Sequence, residues 1–248
     1  MSSSPRAPSP GALRRKIVLD AATPGVVRAG VEDDFHHFNV TVSHADGRVT
    51  EVTSRDLRTP WTSCAQAGVM LNQLAGAPVS TDGAAVLGAI DPHGQCTHQF
   101  DLALMAVAQA ARGGIRVYDI EVADPHDDVR RARIMRDGVV VLDWTLAGST
   151  VLAPADHAGV NLRKLNMAAL ALADPERAEI LVALRRAVMI SAGRGRNLDQ
   201  YPSLHVFAEQ MSGACFAFQP VRVDQGLRNR GTVRDFSAKP ELLLREFG

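Results

Sequence analysis

Several things are scarce in this chain, and each scarcity excludes something. Its 248 residues carry no net charge, with 27 Lys+Arg against 27 Asp+Glu. A balanced surface makes no field to attract nucleic acid or an anionic membrane, so neither is an expected partner. No run of 18 apolar residues occurs, so no segment reads as a membrane-spanning helix. Cysteine is limited to Cys64, Cys96 and Cys215. That odd, widely spaced set fits free thiols in a reducing compartment, here the cytoplasm, better than a disulfide framework. Lysine occurs only at positions 16, 164 and 239, against 24 arginines. Met1 to Pro10 is rich in Ser and Pro and lacks the apolar stretch of a secretory signal.

The remainder is a globular mixture, 46% hydrophobic and 22% charged, which excludes a disordered chain. Residues 1–30 read as a flexible tail and 31–248 as a single domain. Apolar and polar residues alternate from Phe35 to His44. After Asp46-Gly47 comes a second β-prone run through Val49 and Val52, the pattern of a hairpin. Ala67, Met70, Leu71 and Leu74 mark one face of a helix capped at Thr62 or Ser63. A second helix spans about Thr97 to Ala111, with Phe100, Leu104, Val107 and Ala108 at core spacing. Strands follow at Ile115–Val122, Ala132–Met135 and Val139–Leu146, the last two joined by Asp137-Gly138. Beyond Pro154 the texture turns helical: Val160 to Leu172, then Pro175 to Ser191 with Asp174 as cap. No internal repeat is evident. The expected fold is α+β, an antiparallel sheet with helices packed on one face and a helical C-terminal half.

Polar chemistry concentrates at Cys96-Thr97-His98-Gln99-Phe100-Asp101. With Thr97 as cap, Cys96 sits at the mouth of the second helix, where amides and the dipole favour negative charge. His98 and Asp101 lie three apart on one face. A carboxylate beside an imidazole fixes its tautomer and raises its basicity, so His98 is the candidate base and Asp101 its orienter. Cys64 occupies the same kind of place on the first helix, and the two helix starts could converge on one pocket. Of the tandem His36-His37, strand alternation lets only one face inward; His37 is assigned, with His36 the open alternative. Arg58 and Tyr118 are candidates to hold an anionic or phenolic group, and Trp61 to supply an aromatic wall. Cys215 to Pro220, with Gln219, either lids the pocket or anchors the tail. These cysteines and histidines have the residue types of a Zn or Fe site, but no standard ligand spacing. Gly193-Arg194-Gly195-Arg196 lacks the Lys-Ser/Thr and preceding strand of a phosphate loop, so it is not read as a nucleotide site.

The same residues carry a resemblance. His36-His37-Phe38, Arg58-x-Pro60-Trp61-x-x-Cys64, Cys96-Thr97-His98-x-Phe100-Asp101-Leu102, Cys215 to Pro220 and Arg234-Asp235-Phe236 resemble the bacterial domain-of-unknown-function family DUF2889 from about Asp34 to Phe236. That resemblance implies a catabolic enzyme of bacteria that degrade aromatic compounds. At fold level the order Asp46-Gly47, Cys64, Cys96 is similar to iron–sulfur scaffold proteins of the NifU type. The third scaffold cysteine has no counterpart here, so the likeness implies architecture rather than cluster assembly.

Together these readings lead to one expectation. The chain is a lyase acting on a small aromatic compound, of the lignin-derived type, or a carbonyl-bearing one. It works by acid–base chemistry, as a cofactor-independent C–C lyase releasing a small aldehyde. No cofactor or nucleic acid is expected; a homo-oligomer is compatible with the sequence. The alternatives are a Zn- or Fe-binding scaffold or carrier built on the same side chains, and a cysteine-dependent hydrolase.

Overall fold

The computed structural model describes residues 11–88 and 90–247. The chain is α+β. Eight antiparallel strands form one sheet in the order β4-β3-β2-β1-β5-β6-β7-β8. They are β1 (Ala12–Thr23), β2 (Val26–Asp33), β3 (His37–Ala45), β4 (Arg48–Arg58), β5 (Gly114–Ala123), β6 (Val129–Arg136), β7 (Val139–Ala147) and β8 (Thr150–Ala153). The helices are α1 (Gly83–Leu87), α2 (Thr97–Arg112), α3 (Met167–Ala173), α4 (Pro175–Ser191) and α5 (Ala208–Met211), with a 3₁₀ helix over Thr62–Leu74. No helix among the described residues is long and apolar enough to cross a membrane.

The strand order is symmetric about the central β1–β5 pair. Each half is a four-strand meander followed by helices: α2 packs on β1, β2 and β3, while α4 packs on β1, β5 and β6. An architectural repeat therefore exists where the sequence shows none, because topology repeats and side chains do not. Both Asp-Gly turns form with positive φ at each residue, 51° and 72° at Asp46-Gly47, 53° and 79° at Asp137-Gly138. That is the backbone twist a tight hairpin needs.

One face of the sheet makes the core. Leu13, Ile17 and Leu19 of β1, Val27, Ala29 and Val31 of β2, and Phe38, Val40 and Val42 of β3 all point at the helices and are buried. Ala103, Ala106 and Val107 of α2 meet them, as do Leu184, Ala187 and Val188 of α4. The opposite face is laced with ion pairs, among them Arg14–Glu121, Lys16–Asp119 at 3.6 Å and Arg131–Asp143. The C-terminal segment covers part of that face. Leu243 and Leu244 are buried, Phe247 lies against Gly30, and the Leu244 amide donates to Glu32 at 2.8 Å.

Three expectations change. Residues 11–30 are no tail: they form β1 and part of β2, at the centre of the sheet; Met1 to Pro10 lies outside the described residues. Val160–Leu172 is not one helix. Asn161 and Asn166 each accept a downstream amide, from Arg163 and Ala169, and so start separate turns. The first helix is 3₁₀, begins after Trp61 and has no side-chain cap, although Ala67, Leu71 and Leu74 are buried as expected. By contrast α4 begins as read, with Asp174 accepting the Arg177 amide at 2.9 Å and Pro175 in the first turn.

Candidate active site

The site is assembled where β2 ends. Asp33 closes that strand, and the chain turns through Asp34 and Phe35 to His36 before β3 begins at His37. The Asp33 amide donates to the His36 carbonyl at 2.9 Å. The Asp33 carboxylate faces the helices, accepts the amides of Phe35 and His36 at 2.9 Å each, and lies 3.1 Å from His36 Nδ1. Its other oxygen accepts from Arg15, directly opposite on β1. The two side chains are 2% and 0% exposed, so this ion pair is fully interior. Burial alone would raise the Asp33 carboxyl, but His36, Arg15 and the Phe35 amide outweigh it and hold it below its ordinary value. An ionised carboxylate only accepts. His36 Nδ1 therefore carries a proton, and Nε2 is the basic nitrogen of the neutral ring.

His98 lies in the first turn of α2 and stacks on His36, ring centroids 3.9 Å apart and 25° from parallel. Phe38 extends the stack, 6.3 Å from His98. Nε2 of His98 is enclosed and has no hydrogen-bond partner among the described residues. Burial, then His36 when it is protonated and the charges of Arg15 and Arg186, push its pKa well below the ordinary imidazole value. Two imidazoles are thus in contact, one paired with a carboxylate and one held neutral.

Asp101 does not orient His98. It accepts from Arg186 of α4, at 2.9 Å from Nε and 2.8 Å from Nη2. A guanidinium fork on the neighbouring helix matches a carboxylate better than an imidazole three residues away on the same helix. The carboxylate–imidazole pair is Asp33–His36 instead. His37 points to the outer face, 2.6 Å from Glu246 and 3.4 Å from Glu32. Since Phe38 faces inward, alternation turns His37 out and His36 in.

Arg58 serves the backbone. Its guanidinium donates to the carbonyls of Asp33, Asp34, His36 and Thr232 and to the Glu32 carboxylate. It therefore fastens the turn that carries Asp33 and His36 to the C-terminal segment. Trp61 is buried in a small core with Leu204, Ala217 and Val223 rather than forming the wall of a pocket. Tyr118 faces α4 in the other half of the sheet and donates to Glu179 at 2.5 Å. Burial and that carboxylate raise its pKa. The Gln219 carbonyl accepts the amides of Arg222 and Val223, and the Phe216 amide donates to the Gln95 carbonyl at 2.9 Å. The segment from Cys215 to Pro220 thus anchors the tail.

Cys64, Cys96 and Cys215 do come together, close enough for a charge on one to disfavour a charge on another. Burial pushes Cys96 up to about 12 even though the amides of Gln99 and His98 pull the other way, and burial raises Cys64 and Cys215 too. They are thiols at neutral pH. Among the described residues, no three His, Cys, Asp or Glu side chains are grouped so that they could hold a metal ion.

Four participants escaped the sequence reading: Arg15, Asp33, Arg186 and Asp56. Asp56 sits on β4 opposite Phe38 and accepts from Gln99 Nε2 at 2.6 Å. Burial pushes its carboxyl up to about 6. Two carboxyl groups flanking one aromatic stack are therefore driven in opposite directions, Asp33 down and Asp56 up, the kind of separation that divides base from acid. The run Asp33-Asp34 at a strand end was the available signal. No protein-family model matches the chain, and neither does any curated protein.

Proposed function

We propose that this protein is an acid–base lyase whose base is His36, oriented by Asp33, with the neutral His98 imidazole beside it. The observation that carries the reading is the buried Asp33–His36–His98 arrangement. An interior ion pair and an enclosed imidazole without a partner are costly to a fold and are characteristic of functional sites. The resemblance to DUF2889 supports a small aromatic substrate. The reaction is cofactor-independent C–C cleavage releasing a small aldehyde. His36 takes the proton of a carbinol O–H, the C–O bond becomes C=O, and the adjacent C–C bond breaks. The electron pair left on the remaining carbon is delocalised into the aromatic or carbonyl group and is then protonated by the imidazolium or by Asp56. Electrons balance without an oxidant. The scaffold and hydrolase alternatives draw no support from this geometry: the thiols are protonated, and no sulfur bonds to an imidazole among the described residues.

The test is aldehyde release from a panel of hydroxymethyl-bearing aromatic compounds. His36→Ala is expected to lower turnover by about 10²–10⁴-fold, while His37→Ala leaves it near wild type. Full activity in His36→Ala, or no aldehyde from any compound, overturns the proposal.

A further inference from the structure

A second site lies on the other side of the sheet. A cavity of about 150 Å³ opens between the outer face of β1, β5 and β6 and the C-terminal segment, with Arg14, Arg133 and Met135 on one side and Pro240 and Leu243 on the other. The charges on this face pair off unevenly. Glu121 is taken by Arg14, Asp119 by Lys16, and Asp143 by a two-pronged contact from Arg131. Arg133 stands between Glu121 and Asp143 in the register, and both are committed to other cations. It keeps electrostatic reach to Asp143, yet among the described residues no acceptor bonds its guanidinium. The Nε groups of Arg133 and Arg14 are both enclosed and without a partner among the described residues. Buried N–H donors without acceptors are rare and costly.

We infer that this cavity binds a small organic monocarboxylate, its charge on Arg133 and its apolar body against Met135, Pro240 and Leu243. Of the cations lining the cavity, Arg14 and Arg15 are paired and Arg133 has no carboxylate partner among the described residues, while the lining carboxylates Asp119 and Glu121 are held by Lys16 and Arg14; a guanidinium fork suits a carboxylate. The apolar wall excludes a fully hydrated inorganic ion as the better ligand. This site is independent of the histidine pair, which faces the helices.

Sodium benzoate, benzamide and sodium phosphate are the probes, titrated into the full chain while the Leu243 methyl and Arg133 Nε–H resonances are followed. Benzoate is expected to give saturable shifts at both. Benzamide, of the same shape without the charge, should bind at least about 10-fold more weakly, and so should benzoate to Arg133→Gln. His205→Gln, which disturbs only a solvent-facing pair with Asp224 outside the cavity lining, should retain benzoate binding. The inference fails if benzoate gives no saturable shift, if Arg133→Gln binds it as wild type does, or if benzamide or phosphate matches benzoate. None of these readouts involves turnover, so the outcome is separate from that of the lyase test.

Discussion

Replacing Asp33 by Asn probes the Asp33–Arg15 pair with little change of shape. The Asn carbonyl can still accept the amides of Phe35 and His36 and the His36 Nδ1 proton, while its NH2 faces Arg15, so the loss is the charge together with the Arg15 hydrogen bond. What remains is an Arg15 side chain 2% exposed, opposite a neutral amide. Breaking a buried ion pair from one side costs about 3–5 kcal/mol, because the surviving charge stays desolvated. In a chain of this length each kcal/mol corresponds to roughly 2–4 °C, so a Tm loss of about 6–20 °C is expected. Adding Arg15→Met removes the stranded cation and should recover most of it, a coupling of at least about 2 kcal/mol in a double-mutant cycle by urea denaturation. The pH dependence has a definite sign. The Asp33 carboxyl is held below its unfolded value of 3.8, so its stabilisation is complete above that pH and drains away as pH falls towards the folded value. Asp33→Asn should lose that acid-side slope. A single-mutant cost below about 1 kcal/mol, or no rescue by Arg15→Met, would refute the reasoning.

Arg58→Ala should cost roughly 2–5 kcal/mol in urea denaturation, since several carbonyls of the Asp33–His36 turn lose their donor; Arg58→Lys should not restore it, because a point charge cannot replace the fork. Iodoacetamide at pH 8 should label Cys96 slowly in the native state, with roughly one thiolate in 10⁴ for a group pushed up to about 12; mass spectrometry that finds rapid native labelling would contradict the assigned burial. Asp56 titrates near 6 because burial disfavours its charge, so protonation favours the folded state and stability falls as pH rises through that value. Asp56→Asn should therefore gain on wild type above pH 6 and match or trail it only below the unfolded value of 3.8, with one carboxyl titration near pH 6 missing from the ¹³C spectrum.

The interior of this protein is unusually polar for a sheet centre. Arg15, Asp33, His36 and Gln99 are buried at positions that aliphatics could fill, with His98, Asp101 and Arg186 half-buried beside them. They are arranged as two opposed ion pairs, Arg15–Asp33 and Arg186–Asp101, with the stacked imidazoles between strand and helix. Replacing such pairs with well-packed apolar groups is often neutral or stabilising. Their presence is therefore not explained by stability alone.

The sequence alone determined what depends on neighbours within a turn or two. Asp46-Gly47 and Asp137-Gly138 specify their hairpins through backbone conformation, Asp174-Pro175 starts α4, and the apolar spacing of α2 fixes its buried face. A cluster of ionisable residues interrupting the amphipathic pattern at the start of α2 was also legible. Tertiary structure decided the rest. Arg14, Arg15 and Lys16 make β1 look like a solvated tail until Asp33 arrives from the next strand to neutralise Arg15. Whether His36 or His37 faces inward depends on a parity set by the turn at Asp34-Phe35, which one shifted residue would invert. Asp101 belongs to Arg186, 85 positions away, and no spacing rule records that. Burial and pairing between distant segments fix which charges are ionised, and those are properties of the packed molecule.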